Sequence, residues 1–224
     1  AVAAGIIHRI SAVIMWGLLF SHVYYLIRMK IRNKTPLAEF MFGRGSMLPN
    51  AQDAKDFIGT VKWFAGKGPR PQYGRWTYWE KFDYLAVFWG VPVIGLSGMI
   101  LWFPEISSLV FPGWLVNVAA IIHSDEALLA TGFIFTIHFF NTHLRPEAFP
   151  MDPVIFTGVV PEEECHEERV RSYQEGKASG QLEARIVSRN LTPGFMNLVY
   201  TFGFLFLFMG LAVVLLVIYT VLFG

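Results

Sequence analysis

An all-α integral membrane protein, a bundle of four transmembrane helices, is the fold class this sequence predicts, and three observations predict it. Of the 224 residues, 54% are hydrophobic and only 16% charged, against about 25% charged in an ordinary soluble domain. The charges are confined, so that several stretches exceed the roughly 20 apolar residues needed to cross a hydrocarbon core about 30 Å thick. Each stretch is also bounded by helix punctuation, a basic cluster or a proline. One membrane domain, residues 1–224, accounts for the whole chain.

The first span is predicted over residues 5–27, broken only by His8, Arg9 and His22 and closed by Arg28, Lys30, Arg32 and Lys34. The second, 82–103, carries Pro92 in mid-span, which a membrane helix tolerates where neighbours satisfy the freed backbone group; Pro104 ends it. The third, 115–143, contains the polar triplet Ser124-Asp125-Glu126, and Pro146 follows. Thr192-Pro193-Gly194 reads as a helix start, and the fourth span, 195–223, has no ionisable side chain. Two long loops remain, 28–81 and 144–194. In the first, Phe57, Ile58, Val61 and Phe64 recur at helical spacing beside lysines, the pattern of an interfacial amphipathic helix. In the second, Pro161 to Lys177 mixes charges along good helix formers and reads as a solvated helix over the membrane face.

A net charge of +1, with the basic residues in loops rather than on one face, excludes a nucleic-acid footprint. Eleven of the 18 Lys and Arg lie from Arg28 to Lys81, six lie between His143 and Phe195, and Arg9 is the last. Basic residues are retained on the cytoplasmic side, so both long loops are expected there and both termini outside. The single Cys165 excludes an internal disulfide and the Cys-x-x-Cys-His attachment of a c-type haem. The chain opens on Ala1 with an apolar segment almost at once and no visible signal peptide, so processing or an upstream part is expected.

Four of the six histidines lie in spans one and three: His8, His22, His123 and His138. His8 and His22 are 14 residues apart, which returns them to within about 40° of one face and separates them by roughly 21 Å. His123 and His138 are 15 apart, giving roughly 60° and 22 Å. Spans one and three run in the same direction, so His8 shares the outer half with His123, and His22 the inner half with His138. Ionisable groups inside a membrane mark function. A low-spin b haem wants a neutral imidazole nitrogen on each face of its iron, and facing helices supply such ligands. The pattern predicts two stacked b-type haems, each bis-histidine, with the metal ligands His8 and His123, then His22 and His138. Ala12, Gly17, Ala127, Ala130 and Gly132 leave room for a macrocycle, and Arg9 suits a haem carboxylate. The plainer alternative is four polar side chains hydrogen-bonded inside the bundle. His143, 20 residues after His123, falls about 200° round by the same count. It reads as a partner for a haem carboxylate or quinone, or as a solvated helix end.

With these residues in view, the segments HRISAVIMWGLLFSHVYYL, YGRWTYWEKFDYLAVFWG, GLSGMILWFP, IHSDEALLATGFIFTIHFF and FPMDPVIFTG carry a resemblance. The chain resembles the di-haem cytochrome b membrane subunits related to the formate dehydrogenase gamma subunit and the nickel-iron hydrogenase cytochrome b, over nearly all of residues 5–170. The resemblance implies electron transfer in a bacterial inner membrane, between quinone or quinol and a periplasmic redox subunit, a multihaem cytochrome c or an iron-sulfur protein. His8 and His123 match the family's outer-haem ligands. The gamma subunit takes one inner-haem ligand from an earlier helix, and here His22 stands in that place. Two helices bearing four histidines is the plan of the cytochrome b in quinol:cytochrome c oxidoreductases.

Quinone chemistry needs an apolar cleft and a group that exchanges protons with water. On the inner side, Tyr78, Trp79, Glu80, Lys81 and Tyr84 begin span two, with Glu80 and Lys81 the proton-exchanging candidates; an interfacial belt of aromatics and snorkelling charges explains the same residues. On the outer side, Asp125 and Glu126 lie within a turn of His123, and Glu126 is the candidate acceptor of a quinol proton. Pairing of both acids with Arg9 or a buried water is the alternative. Two other function classes fit the composition: a histidine-based metal or proton transporter, and a non-redox membrane anchor for a soluble catalytic subunit.

Overall fold

The computed structural model describes residues 2–223, and every regular element among them is helical. In chain order the α-helices are α1 (Val2–Asn33), α2 (Leu37–Phe42), α3 (Ala51–Phe64), α4 (Tyr78–Trp102), α5 (Pro104–Val110), α6 (Trp114–Phe133), α7 (Val154–Thr157), α8 (Glu162–Glu168), α9 (Val170–Ala178), α10 (Leu182–Arg185) and α11 (Pro193–Phe223). Four helices are long and apolar enough to cross a bilayer: α1, α4, the stretch Trp114–Leu144 that begins as α6, and α11. The chain is a multi-pass membrane protein. No described residue of α1 is buried, and α11 buries only Val199, Gly203 and Leu207. Water does not tolerate so much bare apolar surface; for a helix in hydrocarbon it is the lipid-facing surface.

The spans start and stop where local chemistry sets them. Helix α1 runs on through Arg28, Lys30 and Arg32 to Asn33, because Lys and Arg end the membrane passage yet are good helix formers. Helix α4 begins at Tyr78, earlier than residue 82, because Thr77 and Glu80 form a capping box. The Glu80 carboxylate accepts from the Thr77 amide at 2.7 Å, satisfying a donor that no helical partner reaches.

The residues fall into two compact units, Ala1–Leu128 and Leu129–Gly224. In the first, α1 packs on α4 through Trp16, whose indole occupies the space beside Gly95: a Cβ there stands 2.5 Å from Trp16 Cζ2. Membrane helices lack a hydrophobic force between them and approach best over such small residues. The loop between α1 and α4 is ordered by polar bonds. Lys81 Nζ pairs with Asp53 Oδ2 at 2.9 Å, both side chains buried, and the Thr60 and Tyr73 hydroxyls are 2.9 Å apart. Burial pushes the Tyr73 phenol above its ordinary pKa.

In the second unit the third span changes form after Phe133. The Phe139 amide reaches back five residues to the Ile134 carbonyl, and the Arg145 amide likewise to Phe140, so Ile134–His138 and Phe140–Leu144 are π-helical turns. Helix α11 packs by its face of Val199, Gly203, Leu207 and Gly210; a Cβ on Gly203 stands 3.1 Å from Met151 Cβ, and one on Gly210 runs into the Phe139 ring. The mixed-charge segment forms two helices, α8 and α9, broken at Arg169. Tyr173 crosses the break, donating to Glu162 at 3.0 Å and setting its ring edge-on to His166. Burial raises the Cys165 thiol and, with Asp152 nearby, the Glu164 carboxyl.

Candidate functional site

Within the first unit, α1 and α6 carry His8 and His123 to one another, ring centroids 5.9 Å apart and planes at 89°. Helix α4 orients the second ring. His123 Nδ1 lies 2.9 Å from the Ile94 carbonyl and 3.2 Å from the Ser97 hydroxyl. A carbonyl only accepts, so Nδ1 carries the proton and Nε2 keeps its lone pair. Metal-bound histidines are held in this way, the far nitrogen donating to a carbonyl or carboxylate. Gly98 makes room: a Cβ there stands 3.0 Å from His123 Cε1.

The centroid separation of 5.9 Å is close to the span of about 6 Å that two nitrogen–metal bonds of about 2 Å and the half-width of each ring would give. Among the described residues no three His, Cys, Asp or Glu side chains converge on one point.

The other expected residues occupy distinct places. The Arg9 guanidinium sits 5.2 Å from the centre of the Trp102 ring, at the end of α4. Glu126 turns its carboxylate toward α4, with Oε1 2.9 Å from where a Gly90 Cβ stands, while Asp125 is exposed. His22 Nε2 lies 2.9 Å from the Tyr84 hydroxyl, with Phe88 packed against both rings. Glu80 closes the α4 capping box and Lys81 pairs with Asp53.

His138 and His143 belong to the second unit, one in each π-helical turn. A π turn takes in one residue more than an α turn, so it displaces the side chains after it by about 100° from uninterrupted α-helical register. The α-helical counts for His138 and His143 therefore do not carry past Phe133. His143 Nδ1 donates to the Pro150 carbonyl at 2.8 Å and the ring packs on Phe139. This leaves Nε2 as its lone-pair nitrogen.

Ile94, Ser97 and Gly98 were not among the sequence-based candidates. The available signal was the run Gly95-Leu96-Ser97-Gly98, three small residues in mid-span. No family model, curated protein or solved structure matches this chain.

Proposed function

We propose that this chain is a membrane di-haem cytochrome b subunit, passing electrons across a bacterial inner membrane between the quinone pool and a periplasmic redox subunit. The observation that carries the reading is the His8–His123 pair, at the spacing of two axial ligands and with the His123 tautomer set by Ile94. A bound b haem supplies one-electron redox chemistry inside the low-dielectric core. The chain's own residues do the positioning. His8 offers a ring nitrogen and His123 its Nε2 lone pair, Ser97 and Gly98 shape the slot behind His123, and Arg9 offers a cation to a haem carboxylate.

His22 and His138 are kept, from the sequence pattern alone, as the ligands of a second haem in this proposal. Ligation through Nε2 of His22 requires the Tyr84 hydroxyl, 2.9 Å away, to give way. Quinone binds on that side, with Tyr84 rather than Glu80 or Lys81 as the proton-exchanging group, because those two are engaged in the capping box and the Asp53 pair. His143, whose Nδ1 is anchored on Pro150, keeps from the sequence pattern its expected role as a partner for haem carboxylate or quinone. Glu126, facing α4, accepts a proton on the other side.

A pyridine haemochrome spectrum of the purified chain tests the reading. The expected result is haem b at two per chain, falling to one in His123→Ala. Absence of haem b overturns the proposal and returns the histidines to metal or proton transport, or to a purely anchoring chain.

A further inference from the structure

We infer that α3 is a membrane-surface anchor, its apolar face set into the acyl boundary of one leaflet and its lysines selecting anionic phospholipid headgroups. The helix is inside out by the standard of a soluble fold. Its buried residues are Asp53, Asp56 and Thr60, while Phe57, Ile58, Val61 and Phe64 are 52%, 53%, 52% and 77% exposed. The polar face is spoken for: Asp53 by Lys81 and the Asn50 amide, Asp56 by Gln52, and Thr60 by Tyr73.

Those bonds also fix the depth of the helix. Lys81 lies in the first turn of α4, and Phe57 meets Tyr78, the residue that opens α4, with ring centroids 5.5 Å apart. Because α4 is a membrane span, its first turn marks where the chain enters the bilayer, and α3 is held at that level. At 100° per residue the four apolar side chains cover an arc of about 120°, and Lys55 and Lys62 lie about 40–60° beyond its edge. Lys67 and Arg70 continue the positive strip, exposed, with Arg70 over the Trp63 ring at 5.7 Å. An apolar arc bordered by lysines is the charge pattern of a helix lying in an anionic interface. Tight polar anchoring on one side and exposed aromatics on the other leave the acyl boundary as the occupant.

The test uses the full chain with Cys165→Ser and one spin label, at Ile58→Cys, Phe64→Cys or, as control, Gln52→Cys. Each is placed in nanodiscs of phosphatidylcholine alone or mixed with phosphatidylglycerol. The expected ratio of oxygen to nickel-chelate accessibility is several-fold higher at 58 and 64 than at 52. It rises further with phosphatidylglycerol, and Lys55→Glu with Lys62→Glu abolishes that rise. Equal ratios at all three positions overturn the anchor. Ratios indifferent to phosphatidylglycerol and to charge reversal overturn the headgroup selection. Spin–spin broadening at 64 between copies assigns the face to a second chain and overturns the lipid as its occupant.

Discussion

His123 owes its orientation to three residues of a neighbouring helix, and each makes a separable contribution. The Ile94 carbonyl sets the proton on Nδ1, the Ser97 hydroxyl lies 3.2 Å from the same nitrogen, and Gly98 leaves space for Cε1. Gly98→Val therefore drives the ring out of line; on the proposed function, haem b content falls from two per chain to one, read by pyridine haemochrome. Gly98→Ala asks the ring to yield by only a few tenths of an ångström, so on the same proposal both haems are expected to remain and the axial-ligand signals in the low-temperature paramagnetic resonance spectrum to shift. Tyr84→Phe removes the hydroxyl beside His22 and no ligand. On the proposed function haem content stays at two, while quinol-driven reduction slows by about 100-fold or more, the scale of a lost acid–base group. An unchanged rate removes Tyr84 from proton exchange.

Elements here are joined by a small number of buried polar bonds. The Lys81–Asp53 pair fastens α3 to α4 with both side chains buried, and Lys81→Met leaves Asp53 as an uncompensated buried charge. Breaking such a pair costs about 3–5 kcal/mol. The expected consequence is local: amides of α3 lose hydrogen-exchange protection while those of α11 keep theirs. Tyr73 adds a pH dependence to the same contact. Its folded pKa is raised by burial, so the folded state holds the phenolic proton more tightly than the unfolded state. The stabilisation is complete below the ordinary tyrosine value of about 10 and is lost as pH climbs from there toward the raised value. Tyr73→Phe flattens that alkaline loss in an exchange experiment on α3, and costs about 1 kcal/mol at neutral pH through the missing Thr60 bond. In the third span, both π turns follow Phe133, and π turns cluster at functional positions of helices.

Across the whole molecule, topology is the property most exposed to test. With the basic residues concentrated in the two long loops, a reporter fused after Phe223 is expected to be active only on the periplasmic side. Activity on the cytoplasmic side inverts the assignment of every half-membrane site. Four helices and their approximate limits were legible in composition and punctuation alone, because transfer of apolar side chains into hydrocarbon is a property of each segment by itself. The two histidine-bearing spans were legible for the same reason: an ionisable group in an apolar run stands out without reference to neighbours. The support of His123 by Ile94, Ser97 and Gly98 was not legible, since it depends on which face of α4 meets α6, and three small residues announce a close approach without naming the partner. The engagement of Glu80 and Lys81 was likewise hidden, because a capping box and a buried ion pair to Asp53 look, in sequence, like any charged membrane boundary. The π turns escaped for a deeper reason. Residue spacing along a span assumes one helical pitch, and the backbone's choice to take in an extra residue is made by packing around it. The sequence by itself determined which segments enter the membrane and which carry histidine; only the tertiary structure decided which way those side chains turn and what holds them, because orientation is a relation between helices rather than a property of one.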